Sequence, residues 1–126
     1  MGLLSGLLGN ASVIDNQKLE KEFEKILIEG EKIEAGFKII RDLFIFSNKR
    51  LILVDKQGLT GKKMEYLSIA YKSVSKYSIE TAGTFDLDAE LKIWVYNDNV
   101  APSVSKKFNR SVNVYEVQKI LSKFVL

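Results

Sequence analysis

Up to about residue 30, apolar residues recur every three or four positions, which is the spacing of one face of a helix. The set consists of Leu19, Phe23, Ile26 and Leu27. Asp15 or Asn16 is placed to cap this helix, because their side chains accept hydrogen bonds from the first free amides. Gly30 is placed to end it after about Glu29. The pattern predicts an amphipathic helix preceded by an apolar arm.

From residue 31 onward, apolar and polar residues alternate, and this period continues for roughly eighty residues. Alternation is typical of β-strands, and short polar or glycine-bearing turns separate the runs. The predicted strands lie near 32–40, 43–47, 50–56, 62–71, 74–82, 88–97 and 103–109. Evenly spaced strands with short connections predict an antiparallel meander of seven strands, closed or nearly closed into a barrel or sandwich.

A second helix is predicted at the end of the chain, where Asn113 and Glu116 have the spacing of an N-cap residue and its reciprocal partner. The apolar positions that follow form one broad face: Val114, Val117, Ile120, Leu121, Phe124 and Val125. We therefore expect a mainly β fold with flanking helices. In this single domain, the arm and first helix occupy residues 1–30, and a barrel capped by the C-terminal helix occupies residues 31–126.

The composition limits the chemistry that the chain can perform. Its 126 residues fit one domain and include neither cysteine nor histidine. A disulfide framework, a thiol nucleophile and serine–histidine catalysis are therefore excluded. The net charge of +3 is far from the dense basic stripe of a nucleic-acid binder. We expect a protein that is not an enzyme, has no cofactor or metal, and binds no nucleic acid.

Three runs of the sequence resemble the bacterial pleckstrin-homology (PH) domain family. They read FSNKRLILVDKQGLTGKKMEYLSIAYKSV, YSIETAGTFDLDAELKIWV and VYEVQKILSKFVL. The resemblance covers nearly the whole chain and implies a PH-like barrel in a small cytoplasmic bacterial protein. It also implies assembly into symmetric rings, which members of such families tend to form, and it implies no established biochemical activity.

Two neighbouring strands are apolar on both of their alternating faces, in the runs LFIF and LILV. A barrel strand with one face in water should alternate between apolar and polar residues. The outer faces of these strands must therefore be covered, either by the N-terminal helix or by another subunit. The candidates for a subunit interface here are Leu43, Phe44, Ile45, Phe46, Ile52 and Val54.

Further interface candidates lie on and before the sixth strand. Alternation places Trp94 and Tyr96 together on its polar face, where they would suit either an interface anchor or packing beneath a helix. Asp86 and Asp88 precede that strand and form an acidic series with Glu90. This series would meet a basic patch of a neighbouring subunit or face water. It lacks the glycine and distal glutamate of an EF-hand loop, so no metal site is predicted.

Basic residues gather around the turns that flank the third strand. They are Lys49, Arg50, Lys56, Lys62 and Lys63, which are candidates for binding a phosphate or an anionic headgroup. The alternative is a solvated charged rim. PH domains that bind inositol phosphates use a long first loop whose cations converge on one headgroup, whereas the first turn here is only Arg41-Asp42. The loop DKQGLTGKK also lacks the spacing of a P-loop.

The N-terminal arm supplies candidates for contact with a membrane surface, namely Leu3, Leu4, Leu7 and Leu8. The apolar stretch is too short to span a bilayer, and the alternative is a tail packed on the body. Two functions stay open. The first is a non-enzymatic scaffold that self-assembles into a ring and binds an unknown partner. The second is a peripheral module that inserts the arm while the basic turns meet anionic phospholipid. Both are expected in the cytoplasm.

Overall fold

In the residues that the structure describes, the secondary structure follows the predicted order of a helix, seven strands and a second helix. A computed structural model describes residues 14–39, 42–57, 62–81, 83, 88–97 and 100–126. The elements are α1 (Asn16–Glu22), β1 (Ile33–Ile39), β2 (Asp42–Ser47), β3 (Arg50–Gln57), β4 (Lys63–Ala70), β5 (Val74–Glu80), β6 (Ala89–Val95), β7 (Val104–Phe108) and α2 (Val114–Val125). No strand end differs from its prediction by more than two residues.

The strands form two separate antiparallel sheets, so the prediction of one meander closed into a barrel is wrong. The first sheet has the order β1-β2-β3-β4 and the second has the order β5-β6-β7. Between them the chain makes a 3₁₀ turn, Tyr71–Ser73, instead of a tight hairpin turn. The Ser73 hydroxyl donates to the Ala70 carbonyl over 2.8 Å, and the residues on both sides of the turn are extended. Because the chain does not fold back along β4 here, β5 begins the other sheet.

Helix α1 begins where the sequence predicts. The Asp15 side chain accepts a hydrogen bond from the Gln17 amide over 2.8 Å, which satisfies one of the free amides in the first turn. The helix ends at Glu22, however, and not near Glu29. Its predicted length is therefore wrong by about two turns.

After α1 the chain forms a tighter turn. The Ile26 amide donates to the Phe23 carbonyl, three residues earlier, over 2.9 Å, whereas a continued α-helix would bond it to the carbonyl four residues earlier. The Ile26 carbonyl accepts a hydrogen bond from Arg50 Nη2 over 2.6 Å. Gly30, the predicted stop, lies in a later turn with a φ of 81°. Glycine adopts this conformation without steric cost. The segment after α1 is thus held by tertiary contacts.

The chain divides into two compact units, Met1–Ile69 and Ala70–Leu126. In the first unit, one face of the four-stranded sheet packs on the N-terminal segment. The cluster of buried residues consists of Leu19, Phe23, Ile33, Leu43, Ile45, Ile52 and Val54. A Cβ atom at Gly36 would lie 2.2 Å from Leu19 Cδ1. Glycine therefore allows α1 to lie directly on β1.

The other face of this sheet is also apolar. Phe44 and Phe46 meet edge to face with ring centroids 5.3 Å apart, and Phe37 meets Phe46 at 6.4 Å. Leu51 and Leu53 are buried beside them on β3. The sheet is therefore apolar on both faces, as the runs LFIF and LILV predict.

In the second unit, α2 packs against β5 and β6. Leu91 and Ile93 of β6 and Val117 and Leu121 of α2 are fully buried. The Tyr77 hydroxyl also forms a hydrogen bond of 2.6 Å with the Ser122 hydroxyl, which joins β5 to α2. The predicted apolar face of the C-terminal helix is thus the face that packs on the sheet.

The start of α2 is half of the predicted capping box. Asn113 Oδ1 accepts from the Tyr115 amide over 3.0 Å, so the N-cap is confirmed. The return bond from Glu116 is not formed, because its Oε2 atom is buried without a hydrogen-bond partner among the described residues. The Oε1 atom lies 3.8 Å from Lys119 Nζ, one turn further along the helix.

Candidate functional site

The apolar interface candidates of β2 and β3 are buried within a single chain. All six belong to the core of the first unit: Leu43, Phe44, Ile45, Phe46, Ile52 and Val54. Four of them lie on the face that contacts α1 and Phe23. The alternative in which the N-terminal helix covers these strands therefore accounts for that face. A role between subunits stays a prediction.

Arg50 is the centre of a hydrogen-bond network at the start of β3. Its Nε and Nη2 atoms donate to the two carboxylate oxygens of Glu31, each over 2.9 Å. Its Nη1 atom donates to the Ser68 hydroxyl over 2.8 Å, and Nη2 also reaches the Ile26 carbonyl. The network therefore ties the segment after α1 to both β3 and β4. An anion that approached Arg50 would compete with these partners.

Glu31 is a buried carboxylate whose ligands keep it charged. Burial alone would raise the pKa of its carboxyl. The hydrogen bonds from Arg50, from the Ser47 hydroxyl (2.5 Å) and from the Ile28 amide (3.1 Å), together with the Arg50 charge, outweigh burial and hold the pKa below its ordinary value. The pair is a structural ion pair of the bidentate type.

The other basic candidates lie at two ends of the sheet. Lys49 is exposed in the turn before β3. Lys56 lies near the end of β3, and Lys62 and Lys63 are exposed just before and at the start of β4. Six residues of extended chain separate Arg50 from Lys56, or about 20 Å. The structure therefore brings Lys56, Lys62 and Lys63 to one end and leaves Lys49 at the other.

The aromatic candidates of the second unit are separated by the end of β6. Trp94 is half-buried on the strand, and Lys76 Nζ lies 5.0 Å from the centre of its ring. The indole Nε1 atom is buried without a hydrogen-bond partner among the described residues. Tyr96 lies in the following turn and is 62% exposed. The anchor that the sequence predicts is thus one half-buried and one exposed ring.

The three residues of the acidic series before and on β6 have different surroundings. Asp86 lies outside the described residues, and Asp88 is exposed. Glu90 accepts from the Ser105 hydroxyl and lies 3.9 Å from Lys92 Nζ. A hydrogen bond from Lys92 to Glu80 over 2.9 Å raises the pKa of Lys92. In the part of the chain that the structure describes, no group of acidic side chains is arranged to hold a metal ion.

The membrane-contact candidates Leu3, Leu4, Leu7 and Leu8 lie outside the described residues. Neither helix within the described ranges has the length and apolar character needed to cross a bilayer. Contact of these four leucines with a membrane stays a prediction.

The outer edge of β1 is covered by residues 14–23, which we call the edge-covering segment. Its polar groups form three hydrogen bonds with that edge: Ile14 N to the Gly36 carbonyl (3.1 Å), Asn16 Nδ2 to the Glu34 carbonyl (2.9 Å), and the Ile33 amide to Glu20 Oε2 (2.9 Å). A terminal strand otherwise presents such groups to other strands. Three backbone groups on this side of β1 are therefore already bonded in the single chain.

The outer edge of β4 has no such cover from another strand of the described residues. Six of its eight residues are exposed. Tyr66 and Leu67 are 43% and 42% exposed on opposite faces of the strand. Sequence reasoning missed this surface. The available signal was the run KMEYLSIA, in which polar residues fall on both faces, as is common in edge strands.

Strand β5 is a second exposed terminal strand, at one end of the three-stranded sheet. Ser75, Lys76, Ser78 and Glu80 are exposed along it. The two strands next to the 3₁₀ turn are thus both sheet edges. Edges of this kind can accept a further strand by backbone hydrogen bonding.

Comparison with known proteins identifies the family. The profile described as bacterial PH domain matches residues 2–125 of the chain. This chain belongs to the bacterial PH domain family. The resemblance seen in the three sequence runs is confirmed, and the PH family is generally non-catalytic.

Solved structures and sequence relatives agree with the family. A protein with a pleckstrin-homology domain from Shewanella loihica PV-4 has a TM-score of 0.81 at 42% identity, covering 93% of this chain and 98% of its own. A pleckstrin-homology domain from Shewanella amazonensis SB2B has a TM-score of 0.80 at 46% identity, covering 99% of both chains. The uncharacterized Bacillus subtilis (strain 168) protein YjqA is 56% identical over 122 residues, 97% of each chain. YozO, uncharacterized and from the same strain, is 32% identical over 103 residues, 82% of this chain and 86% of YozO.

Proposed function

We propose that this bacterial PH domain protein is a non-enzymatic, cytoplasmic scaffold that assembles with itself into a ring and binds a protein partner. The observation that carries the proposal is a pair of exposed strand edges, β4 and β5, with complementary sequences. Edge strands that stay accessible are sites for pairing with another chain. The assembly surface is therefore a backbone edge, and the buried apolar faces of β2 and β3 stabilise each subunit.

The complementarity appears when β4 of one copy is placed antiparallel to β5 of the next. In the register that matches their full lengths, Lys63 is opposite Glu80, Tyr66 is opposite Tyr77, and Leu67 is opposite Lys76. Opposite charges and aromatic pairs in directly facing positions stabilise an antiparallel pair. This is also the register of a hairpin between the two strands, which the 3₁₀ turn prevents within the chain.

A contact between two different edges is heterologous, because β4 of one copy meets β5 of another. Repetition of a heterologous contact gives a closed ring when the rotation between copies closes. This property favours a ring over a two-fold dimer. The concave surface of such a ring would then present several copies of the same site to one partner, which raises avidity without any new contact.

The test is the absolute mass in solution, by light scattering after size-exclusion chromatography at low and high salt. We expect one discrete multiple of the 14.3 kDa chain at both salts. Leu67→Lys places a cation opposite Lys76 and should give smaller species, whereas the matched control Leu126→Lys, at a residue 95% exposed and outside every strand, should not. A monomeric wild type, or equal masses for both variants, would contradict assembly through β4.

The second candidate function is peripheral binding to anionic phospholipid. The observation that favours it is the gathering of Lys56, Lys62 and Lys63 at one end of the first sheet, where several cations can act on one surface. The predicted apolar arm would add a second, weaker contact.

Vesicles that contain anionic phospholipid provide the test of this alternative. Lys62→Glu with Lys63→Glu should abolish salt-sensitive association, and deletion of residues 1–10 should weaken it. Lys49→Glu is the matched control, because Lys49 lies at the opposite end of β3. Association that is unchanged in the double variant would reject the role of these lysines.

A further inference from the structure

We infer that the edge-covering segment, residues 14–23, makes the first sheet one-sided for assembly, so that β4 is offered to other chains and β1 is withheld. The inference rests on the proposed function in one respect, namely that β4 is the edge used between copies. Its evidence is independent and lies in how residues 14–23 meet β1. The kind of partner that is excluded is a second copy of this chain.

The first argument is that the segment satisfies outward backbone groups of β1. The Gly36 and Glu34 carbonyls and the Ile33 amide are each bonded to this segment at 2.9–3.1 Å. Two of the three partners are the side chains of Asn16 and Glu20. An incoming strand would have to displace these bonds before it could form its own ladder with β1.

The second argument is that the segment does not create a new edge in place of the one it covers. Among the described residues before β1, only Ile14 offers a backbone bond to β1, and the chain enters α1 at Asn16. The backbone groups of a helix are used within the helix and present no ladder to a further strand. Within the part of the chain that the structure describes, the sheet therefore ends at β1.

The third argument is that the segment is held on β1 by packing. Leu19 is 1% exposed and its Cδ1 atom occupies the space in which a side chain at residue 36 would begin. Phe23 is buried in the same cluster. A glycine in the middle of an edge strand weakens that strand, and here it makes room for the Leu19 side chain, which holds the segment on the face of β1.

If the segment left β1, each copy would have a third open edge besides β4 and β5. Copies joined through β4 and β5 could then add further copies through β1, so growth would not stop when the ring closes. The segment thus separates a closed assembly from open-ended growth.

The experiment releases the segment in the full-length protein in two independent ways. Leu19→Glu places a charge at a buried position, and Gly36→Val fills the space of the Leu19 side chain. Hydrogen exchange at the Ile14 and Ile33 amides, which are bonded to the Gly36 carbonyl and to Glu20, reports whether the segment has left β1. Light scattering over a range of concentrations reports assembly. We expect one discrete mass to become a broad distribution that grows with concentration.

A third variant distinguishes strand pairing at the β1 edge from nonspecific association through exposed apolar core residues. Leu19→Glu with Gly36→Pro releases the segment and also removes the outward amide of residue 36, which an added strand would need. Growth should disappear in this double variant. Growth that persists would overturn the inference, because apolar surface and not the edge would then drive it.

Two further outcomes would also overturn it. One is a released segment with an unchanged mass, and the other is a segment that stays on β1 in both single variants. Failure of the proposed function is seen separately. A monomeric wild type would contradict the ring. In that case the present inference would still require the released variants to have a higher mass than the wild type.

Discussion

Strands β1 and β4 are the two terminal strands of the same sheet, yet the outer edge of β1 is covered and the outer edge of β4 is exposed. The edge of β1 is bonded to residues 14–23, and most of its side chains are buried. The edge of β4 has no strand beside it among the described residues, and most of its side chains are exposed. A sheet that is apolar on both faces can therefore still have two unlike edges. What distinguishes its two sides is which backbone edge remains accessible.

The largest loss of unfolding free energy is expected from substituting Arg50, which connects the segment after α1 to strand β4. Arg50 joins the Ile26 carbonyl, in the segment after α1, to Ser68 on β4. Arg50→Ala leaves the Glu31 carboxylate buried without its partner, and this type of change costs about 3–5 kcal/mol of unfolding free energy. Urea unfolding measures the loss, with Lys49→Ala, at the exposed neighbouring position, as the control.

For that control we expect a change within about 0.5 kcal/mol. A similarly small change for Arg50→Ala would mean that water replaces the guanidinium at Glu31. The network would then not connect the two sides of the sheet.

Leucine-to-alanine substitutions at the β1 side and at the β4 side of the sheet should give a smaller effect, but one that distinguishes the two edges. Leu19→Ala empties a buried position against β1 and should cost about 2–5 kcal/mol. Leu67→Ala, on the exposed β4, should change the unfolding free energy of the isolated subunit by no more than about 0.5 kcal/mol. Both are measured by urea unfolding in dilute solution. Equal costs at the two positions would remove the contrast between the edges.

The smallest change in unfolding free energy is expected when the pH is lowered and Glu31 becomes protonated. Since the pKa of Glu31 is lowered on folding, its contribution to stability is present above the ordinary pKa of 4.5 and is lost as pH falls through the lowered value. Glu31→Gln cannot carry the charge, so its urea midpoint should fall less steeply below about pH 5. Parallel midpoints for both proteins would show that the carboxylate is not held charged by Arg50.

Most of the fold could be predicted from the sequence because strand positions depend on local alternation. Each strand from β1 to β7 was placed to within two residues, and so were Asp15 and Asn113 as helix caps. The errors are tertiary. Helix α1 ends at Glu22, and the segment after it is bonded to Arg50, which lies twenty-four residues after Ile26 in the chain. The barrel is replaced by two sheets because a three-residue turn redirects the chain after Ala70.

The candidate sites were less accessible to sequence reasoning for the same reason. Composition marks Arg50 as one more cation, and only the structure gives it Glu31 as a partner. The runs LFIF and LILV predict that both faces are covered but do not say by what. The exposed edge of β4 could not be predicted, because edge accessibility depends on which strands pair, and that information is absent from the pattern of a single strand.

The position of the edge-covering segment before β1 has a consequence for synthesis. A chain made from its N-terminus releases residues 14–23 before the strand they cover. When β1 pairs with β2, the helix that lies on Gly36 is already outside the ribosome. The hydrogen-bonding groups of β1 therefore need not wait for later residues to be protected from neighbouring nascent chains. The opposite order along the chain would leave that strand unprotected until translation ended.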